Sequence, residues 1–456
     1  MNLKKLTALL FLVSGIHVMK SEPRLLTLDC CRHMAVESNK ELRMTDMQRQ
    51  AAHYNRKSAF TAYLPKVSAT GIYMHTGKEI SLLSDDQKAT LPHIGDALSM
   101  PQLNHAGAGI VNALRTDTRN MTGAAVMFTQ PVYMGGKILA CNKITQYAEK
   151  IAMDKHNLQY QELIVSVDET YWSIVQLAAR KRLAENYLEL VRTLDGDVEK
   201  MIAEGLATKA DGLSVKVKVN EANVSIIQVS NGIEVLKMRM CQLCGLPLDT
   251  QIELTDENSD IHPVADRQMS GAGICRPELS ALGTAVRIQD EKVRLARSEF
   301  LPTVALTGGY LTSNPSVFNG FEKKFNGVWN IGVAVNIPIL TWGDRHYKVK
   351  AAKAEAAVAR FELEETREKI ELQVAQSRRK VLEAEERYTA SASSQTEADE
   401  NLRYATLGMK EGVVPLSNLL EAQTAWLSAK TNMISADIDL RLAYLYLSKS
   451  LGTITK

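Results

Sequence analysis

The sequence predicts a mixed, mainly α-helical chain, with long antiparallel coiled-coil helices in two copies and four β-strands set between them. Three observations carry this. Residues 344–409 run without a proline, break at KEGVVP (Lys410 to Pro415) and continue to Gly452. Landmarks recur at one offset: Gly205 and Gly412 are 207 residues apart, as are Pro131 and Pro338, Gly136 and Gly343, Asp211 and Asn418, and Gly245 and Gly452. Near residue 330 the pattern alternates, with Ile331, Val333, Val335 and Ile337 set against Asn330, Gly332, Ala334 and Asn336. That is the period of a strand with one apolar side, about ten residues long, as in a membrane β-barrel.

The N-terminus, MNLKKLTALLFLVSGIHVMKSEP, has a basic start and an apolar run from Leu6 to Val13. It reads as a secretory signal peptide, 1–21, cut loosely between Gly15 and Ser21. No cysteine follows the run closely, so no acylation site is expected. No later stretch is apolar enough for a membrane-spanning helix, so insertion has to use strands.

The first copy is expected over 22–245. It opens with a helix, 28–60, with Asp29 at its first turn. A strand pair over 62–133 follows, interrupted by a polar loop, 75–122, expected outside the cell. His75, His93 and His105 in that loop are too far apart for a tight metal site and read as solvated. The diglycine Gly135-Gly136 leads into a helical hairpin, 137–245, turning at EGLATKAD (Glu204 to Asp211). Residues 246–276, with two prolines and two glycines, form the linker between the copies.

The second copy is expected over 277–456. Pro277 suits a first helical turn, and the helix runs to residue 300. A strand pair, 301–340, has a shorter loop, and a helical hairpin occupies 344–452. A second offset, 237, relates Leu64-Pro65 to Leu301-Pro302, Tyr73 to Tyr310 and Glu41-Leu42 to Glu278-Leu279, so the first copy carries 30 extra residues in its loop. This is an internal duplication with one enlarged loop. The outgoing helix of the second hairpin spans roughly 95 Å at the helical rise. Its seam is Val349, Ala352, Ala356, Ala359, Leu363, Ile370, Val374, Val381, Ala384, Tyr388, Ala398, Leu402 and Ala405, a coiled-coil stripe with one slipped step. Leu420, Leu427, Ile434, Ile438, Leu442 and Leu445 line the return helix.

Composition excludes little. The net charge is +2, and opposite charges alternate along the helices as on solvated coiled-coil faces, so nucleic acid is not an expected partner. The six cysteines show no disulfide framework, and Cys241 and Cys244 read as two small apolar residues on one helix face. No phosphate loop, G-x-S-x-G or H-E-x-x-H occurs. Neither catalysis nor a cofactor or metal is expected. The 17 methionines are scattered and leave the cargo open.

Four strands cannot close a barrel in lipid, and open edges are not tolerated there. Several chains are therefore expected to share one barrel. Three chains give twelve strands, within the range of such barrels, and their twelve rods form a ring.

The signal peptide, the Leu-Pro strand openings, the exits at Pro131/Gly136 and Pro338/Gly343, the tips EGLATKAD and EGVVPLSNLLEA and the closing phrases LCGLP and KSLG resemble the TolC-like outer-membrane efflux proteins. The resemblance covers essentially the whole mature chain. It implies a homotrimer in the outer membrane of a Gram-negative bacterium, with a twelve-stranded barrel in lipid and an α-helical barrel crossing the periplasm. It implies partners as well: a periplasmic adaptor protein and, through it, an inner-membrane pump. Gly205, Leu206, Gly412 and Val413 match the adaptor-contact motif. Asn418 and Glu421 match the entrance positions, of which only Glu421 is acidic. Val414 stands where the best-known member has a latching arginine, while Asp211 is retained at the matching position of the first tip. The competing expectations are a coiled-coil structural fibre or adhesin and a soluble periplasmic scaffold.

Overall fold

Helix boundaries follow from local capping chemistry. Residues 24–77, 83–114, 118–258, 273–319 and 322–454 are described by a computed structural model, and the expected leader lies outside them. A short strand, β1 (Arg24–Leu26), precedes α1 (Leu28–Ser38). Thr27 rather than Asp29 caps α1, its hydroxyl accepting from the Cys30 N–H at 3.2 Å. The expected single helix 28–60 is broken: Asn39 leaves the helical region with ψ 123°. Its side chain accepts from the Leu42 N–H at 3.0 Å, which starts α2 (Lys40–Phe60). An Asn side chain competes well for a free N–H at a helix start.

After β2 (Lys66–His75), the described residues of the stretch expected to be loop include three short helices, α3 (Asp85–Thr90), α4 (Ile94–Ala97) and α5 (Gln102–Leu114). Ser84 and Gln87 form a capping box at α3. The Asn104 side chain accepts from the Gly95 N–H at 2.6 Å and donates to Asp96 at 2.7 Å. His75, His93 and His105 are exposed.

The chain continues through β3 (Asn120–Met134) to α6 (Lys137–Ala203), α7 (Lys209–Cys244) and β4 (Ile252–Leu254), the last inside the expected linker. Then come α8 (Pro277–Ser298), β5 (Thr303–Asn314), β6 (Asn326–Asn336), α9 (Asp344–Lys410) and α10 (Leu416–Leu451). Helices α6 and α9 each have 67 residues, and α7 and α10 each have 36. No described helix is long and apolar enough to cross a membrane.

Two units are distinguished. One comprises Ala51–Lys150 and Thr284–Phe361. Its centre is a four-stranded antiparallel sheet in the order β2-β3-β5-β6. Residues directly opposite share a face. Register therefore places Trp329, Tyr310, Val126 and Ala69 on one face, beside Ile331, Gly308, Phe128 and Val67. The other face carries Gly332, Thr307, Thr129 and Lys66, then Asn330, Gly309, Met127 and Ser68. Gly308 makes room for the Phe128 ring: a Cβ there would lie 2.5 Å from its Cε1. Among the described residues, strands β2 and β6 each leave one edge unpaired. In the same unit, Glu149 of α6 accepts from Arg56 at 2.9 Å and contacts His53 at 2.7 Å, both on α2. Those two partners, Arg56 foremost, hold its carboxyl below the usual range.

The other unit comprises Met1–Gln50, Ile151–Gly283 and Glu362–Lys456. Strands β1 and β4 pair in parallel, Arg24 opposite Ile252 and Leu26 opposite Leu254. Beneath them lies a core of Leu26, Cys31, Ala35, Val167, Tyr171, Ile174, Met240 and Ile252. Each such aliphatic side chain contributes about 1.5–3 kcal/mol by leaving water. The Tyr171 hydroxyl donates to Asp256 at 2.6 Å. Arg32 grips Asp168 with two bonds, Nε to Oδ1 at 2.7 Å and Nη2 to Oδ2 at 2.6 Å. A second core joins α9 and α10 through Ile370, Val374, Val381, Ala384, Leu440, Ala443 and Leu447.

Candidate functional site

The two hairpin turns close in the same way. At the end of α6, Gly205 has φ +76°; its N–H donates to Ile202 O at 3.1 Å, and the Leu206 N–H donates to Met201 O at 2.8 Å. At the end of α9, Gly412 has φ +70°; its N–H donates to Met409 O at 3.0 Å, and the Val413 N–H donates to Gly408 O at 2.8 Å. This paired closure needs a left-handed residue, which glycine adopts without steric cost. At both glycines an added Cβ would meet nothing within 4 Å. The requirement is conformational, not one of space.

The residue after such a glycine commonly folds its apolar side chain back on the helix. Here it does not: Leu206 is 69% exposed and Val413 79%. Each turn therefore presents a bare apolar side chain beside a rigid backbone closure.

The flanks of the two turns differ. Thr208 caps α7 in a reciprocal box with Asp211. The Asp211 carboxylate accepts from the Thr208 hydroxyl at 2.7 Å and from the Thr208 N–H at 2.9 Å. These bonds, the hydroxyl first, hold Asp211 below the usual carboxylate range. Asp211 thus has a local partner in its own helix start. At the second turn Pro415 occupies the cap with no side-chain bond. Val414 packs on Gly408, where a Cβ would lie 2.5 Å from Val414 Cγ2. Apolar packing fills this position. Asn418 and Glu421 are both exposed on the first turns of α10, and at a spacing of three they share a helix face.

Both hairpins are anchored behind the turns in one core of Tyr187, Leu188, Val191, Leu194, Val198, Val215 and Leu419, against which Leu402, Ala405 and Met409 of α9 pack. Polar bonds that sequence reading missed tie the rods together. Asp399 of α9 accepts from Trp426 Nε1 at 2.6 Å and from Lys430 Nζ at 2.9 Å, both on α10. Lys216 of α7 pairs with Glu199 of α6 at 2.9 Å, and Arg180 of α6 donates to Ser435 of α10 at 2.7 Å. Trp426 and Lys430 are one turn apart, a signal legible only once their acidic partner is known. Among the described residues, no group of three or more His, Cys, Asp or Glu side chains is placed to hold a metal ion.

Comparison with known proteins agrees with this architecture. The chain is 23% identical over 386 residues to the outer membrane protein TolC of Vibrio cholerae serotype O1, covering 78% of this chain and 83% of that one. It is 20% identical over 347 residues to the outer membrane efflux protein BepC of Brucella suis biovar 1, covering 75% and 74%. Its fold matches the crystal structure of the outer membrane protein VceC from Vibrio cholerae with a TM-score of 0.76 at 16% identity, over 93% of this chain and 96% of that one. The sequence profile of the family described as "Outer membrane efflux protein" matches residues 31–236 and 272–453; the chain belongs to that family.

Proposed function

We propose that three copies of this chain form the passive exit duct of a tripartite efflux or secretion system. The duct docks through its hairpin tips on a periplasmic adaptor that is bound to an inner-membrane pump. The family's setting is the outer membrane of Gram-negative bacteria, with the long helices extending into the periplasm. The observation that carries the trimer is the sheet. It has one apolar face, one small and polar face, and two unpaired edges, β2 and β6. In lipid those edges require partners. In this reading β6 of one protomer pairs with β2 of the next, and three protomers close a twelve-stranded barrel whose apolar face meets the lipid. The equal helix lengths in the two hairpins support the reading of a duplicated unit. A coiled-coil fibre or soluble scaffold has no use for a sheet of this kind.

The reading is tested on detergent-purified protein by mass measurement and by conductance in planar bilayers. A trimer that conducts is the expected result; a monomer without conductance overturns it. Two neighbouring substitutions report the faces. Ile331→Arg puts a charge on the apolar face and should cost about 2–4 kcal/mol per chain near mid-bilayer, seen as loss of the heat-resistant trimer. Gly332→Arg, where a Cβ meets nothing within 4 Å, should leave the trimer intact.

At the entrance, Glu421 supplies one carboxylate per chain and Asn418 none, giving a ring of three in the trimer. Carboxylates grouped in a pore favour cations. Glu421→Gln should lower the ratio of cation to anion permeability in bilayer recordings. An unchanged reversal potential under a salt gradient would remove Glu421 from the conduction path.

A further inference from the structure

Three of the six cysteines meet inside one core. Cys31 on the first turn of α1 and Cys241 and Cys244 on the last turn of α7 are 0%, 0% and 3% exposed. The Cys244 thiol donates to the carbonyl oxygen of Cys31 at 3.7 Å. Cys241 turns elsewhere, its Sγ 3.6 Å from the carbonyl oxygen of Thr250. The two helices also meet at the other end of α1. A Cβ on Gly245, the residue that ends α7, would lie 2.4 Å from Ser38 Cβ. Helix α1 is therefore held against the end of α7 at both of its own ends. The Cys244 sulfur thus lies against Cys31, with both residues buried, where two elements approach this closely.

We propose that Cys31 and Cys244 are joined by a disulfide that fastens α1 to the end of the return helix α7. The inference rests on the periplasmic setting of these helices, an oxidising compartment. The oxidant is the disulfide of a periplasmic thiol oxidoreductase. One cysteine thiolate attacks a sulfur of that disulfide and releases one thiolate of the oxidant. The second cysteine then attacks the mixed disulfide and releases the other. Two electrons pass to the oxidant, and its two thiolates take up the two protons. In the closed core both cysteines are shut off from solvent, out of reach of the oxidant. Exchange therefore precedes the docking of α1. The link joins residues 213 apart, and so restrains the unfolded chain through a long loop.

The test uses the full chain taken from the outer-membrane fraction without reductant, denatured and labelled with a maleimide polymer. Four of the six cysteines should label, and all six after reduction. Cys31→Ser and Cys244→Ser should each expose every remaining thiol, whereas Cys30→Ser and Cys241→Ser should keep two protected. Labelling of all six without reductant overturns the proposal, as does loss of protection in Cys30→Ser or Cys241→Ser. Conductance of the same preparation reports the channel reading separately.

Discussion

A chain carrying Leu206→Asp and Val413→Asp together is expected to reach the outer membrane as a trimer and to export nothing. Both turns close through backbone bonds, from the Leu206 N–H to Met201 and from the Val413 N–H to Gly408, which aspartate preserves. The glycines that need the left-handed region stay in place. The side chains themselves are 69% and 79% exposed, so their removal costs the isolated chain little. What is lost lies in the complex. An apolar side chain of this size contributes about 1.5–3 kcal/mol when buried, so each pair of tips should lose roughly 3–6 kcal/mol, a ~10²–10⁴-fold weaker association. The carboxylates add a desolvation penalty. Each single substitution should give a partial defect. Export is read as survival in the presence of the cargo, docking as cross-linking to the adaptor in cells. Normal export by the doubly substituted chain would show that the tips are turns and nothing more.

Replacing Arg32 with alanine should give the largest loss of stability in the core beneath β1 and β4. It removes both bonds to an Asp168 whose side chain is 3% exposed, and stranding one member of a buried pair costs about 3–5 kcal/mol. The penalty should depend on pH. Burial already pushes the Asp168 carboxyl above its ordinary value, with Arg32 pulling the other way; without Arg32 the displacement grows. A carboxyl that titrates higher in the folded state binds its proton more readily there, so stability rises as pH falls through that window and is lost as pH climbs out of it. Thermal melting of Arg32→Ala should therefore show its greatest deficit near neutral pH and a smaller one toward about pH 4. The double change Arg32→Met with Asp168→Leu should recover most of the loss, because an apolar pair of similar volume commonly replaces an ion pair at little cost. An unaltered melting midpoint of Arg32→Ala at neutral pH would refute the dependence of this carboxylate on its partner.

The long helices were legible in the sequence. Among the expected seam residues of α9, Ala356, Ala359, Ile370, Val374, Val381 and Ala384 are buried, and the others are half-buried. A rod dozens of residues long states its period many times over. The turn glycines were legible too, because a left-handed helix end has few alternatives. Contacts without a period were not. Arg32 and Asp168 are 136 residues apart, and Cys31 and Cys244 are further apart still. Nothing in the local pattern announces that either pair meets. The break at Asn39 was missed because one cap outweighs a continuous apolar stripe. The helices α3 to α5 were missed because short polar, glycine-bearing segments gain their helicity from contacts such as the one between Asn104 and Gly95.

Helices α6 and α9 match in length at 67 residues, and α7 and α10 at 36. Inserting one heptad into a single rod keeps its apolar stripe on the same face but shifts its turn by about 10 Å, out of axial register with its neighbours. Such an insertion is harmful alone and neutral only when all four rods change together. Periplasmic reach is therefore inherited as a single quantised trait: a lineage that must span a wider envelope has to lengthen in concerted steps, and drift by single residues is closed to it.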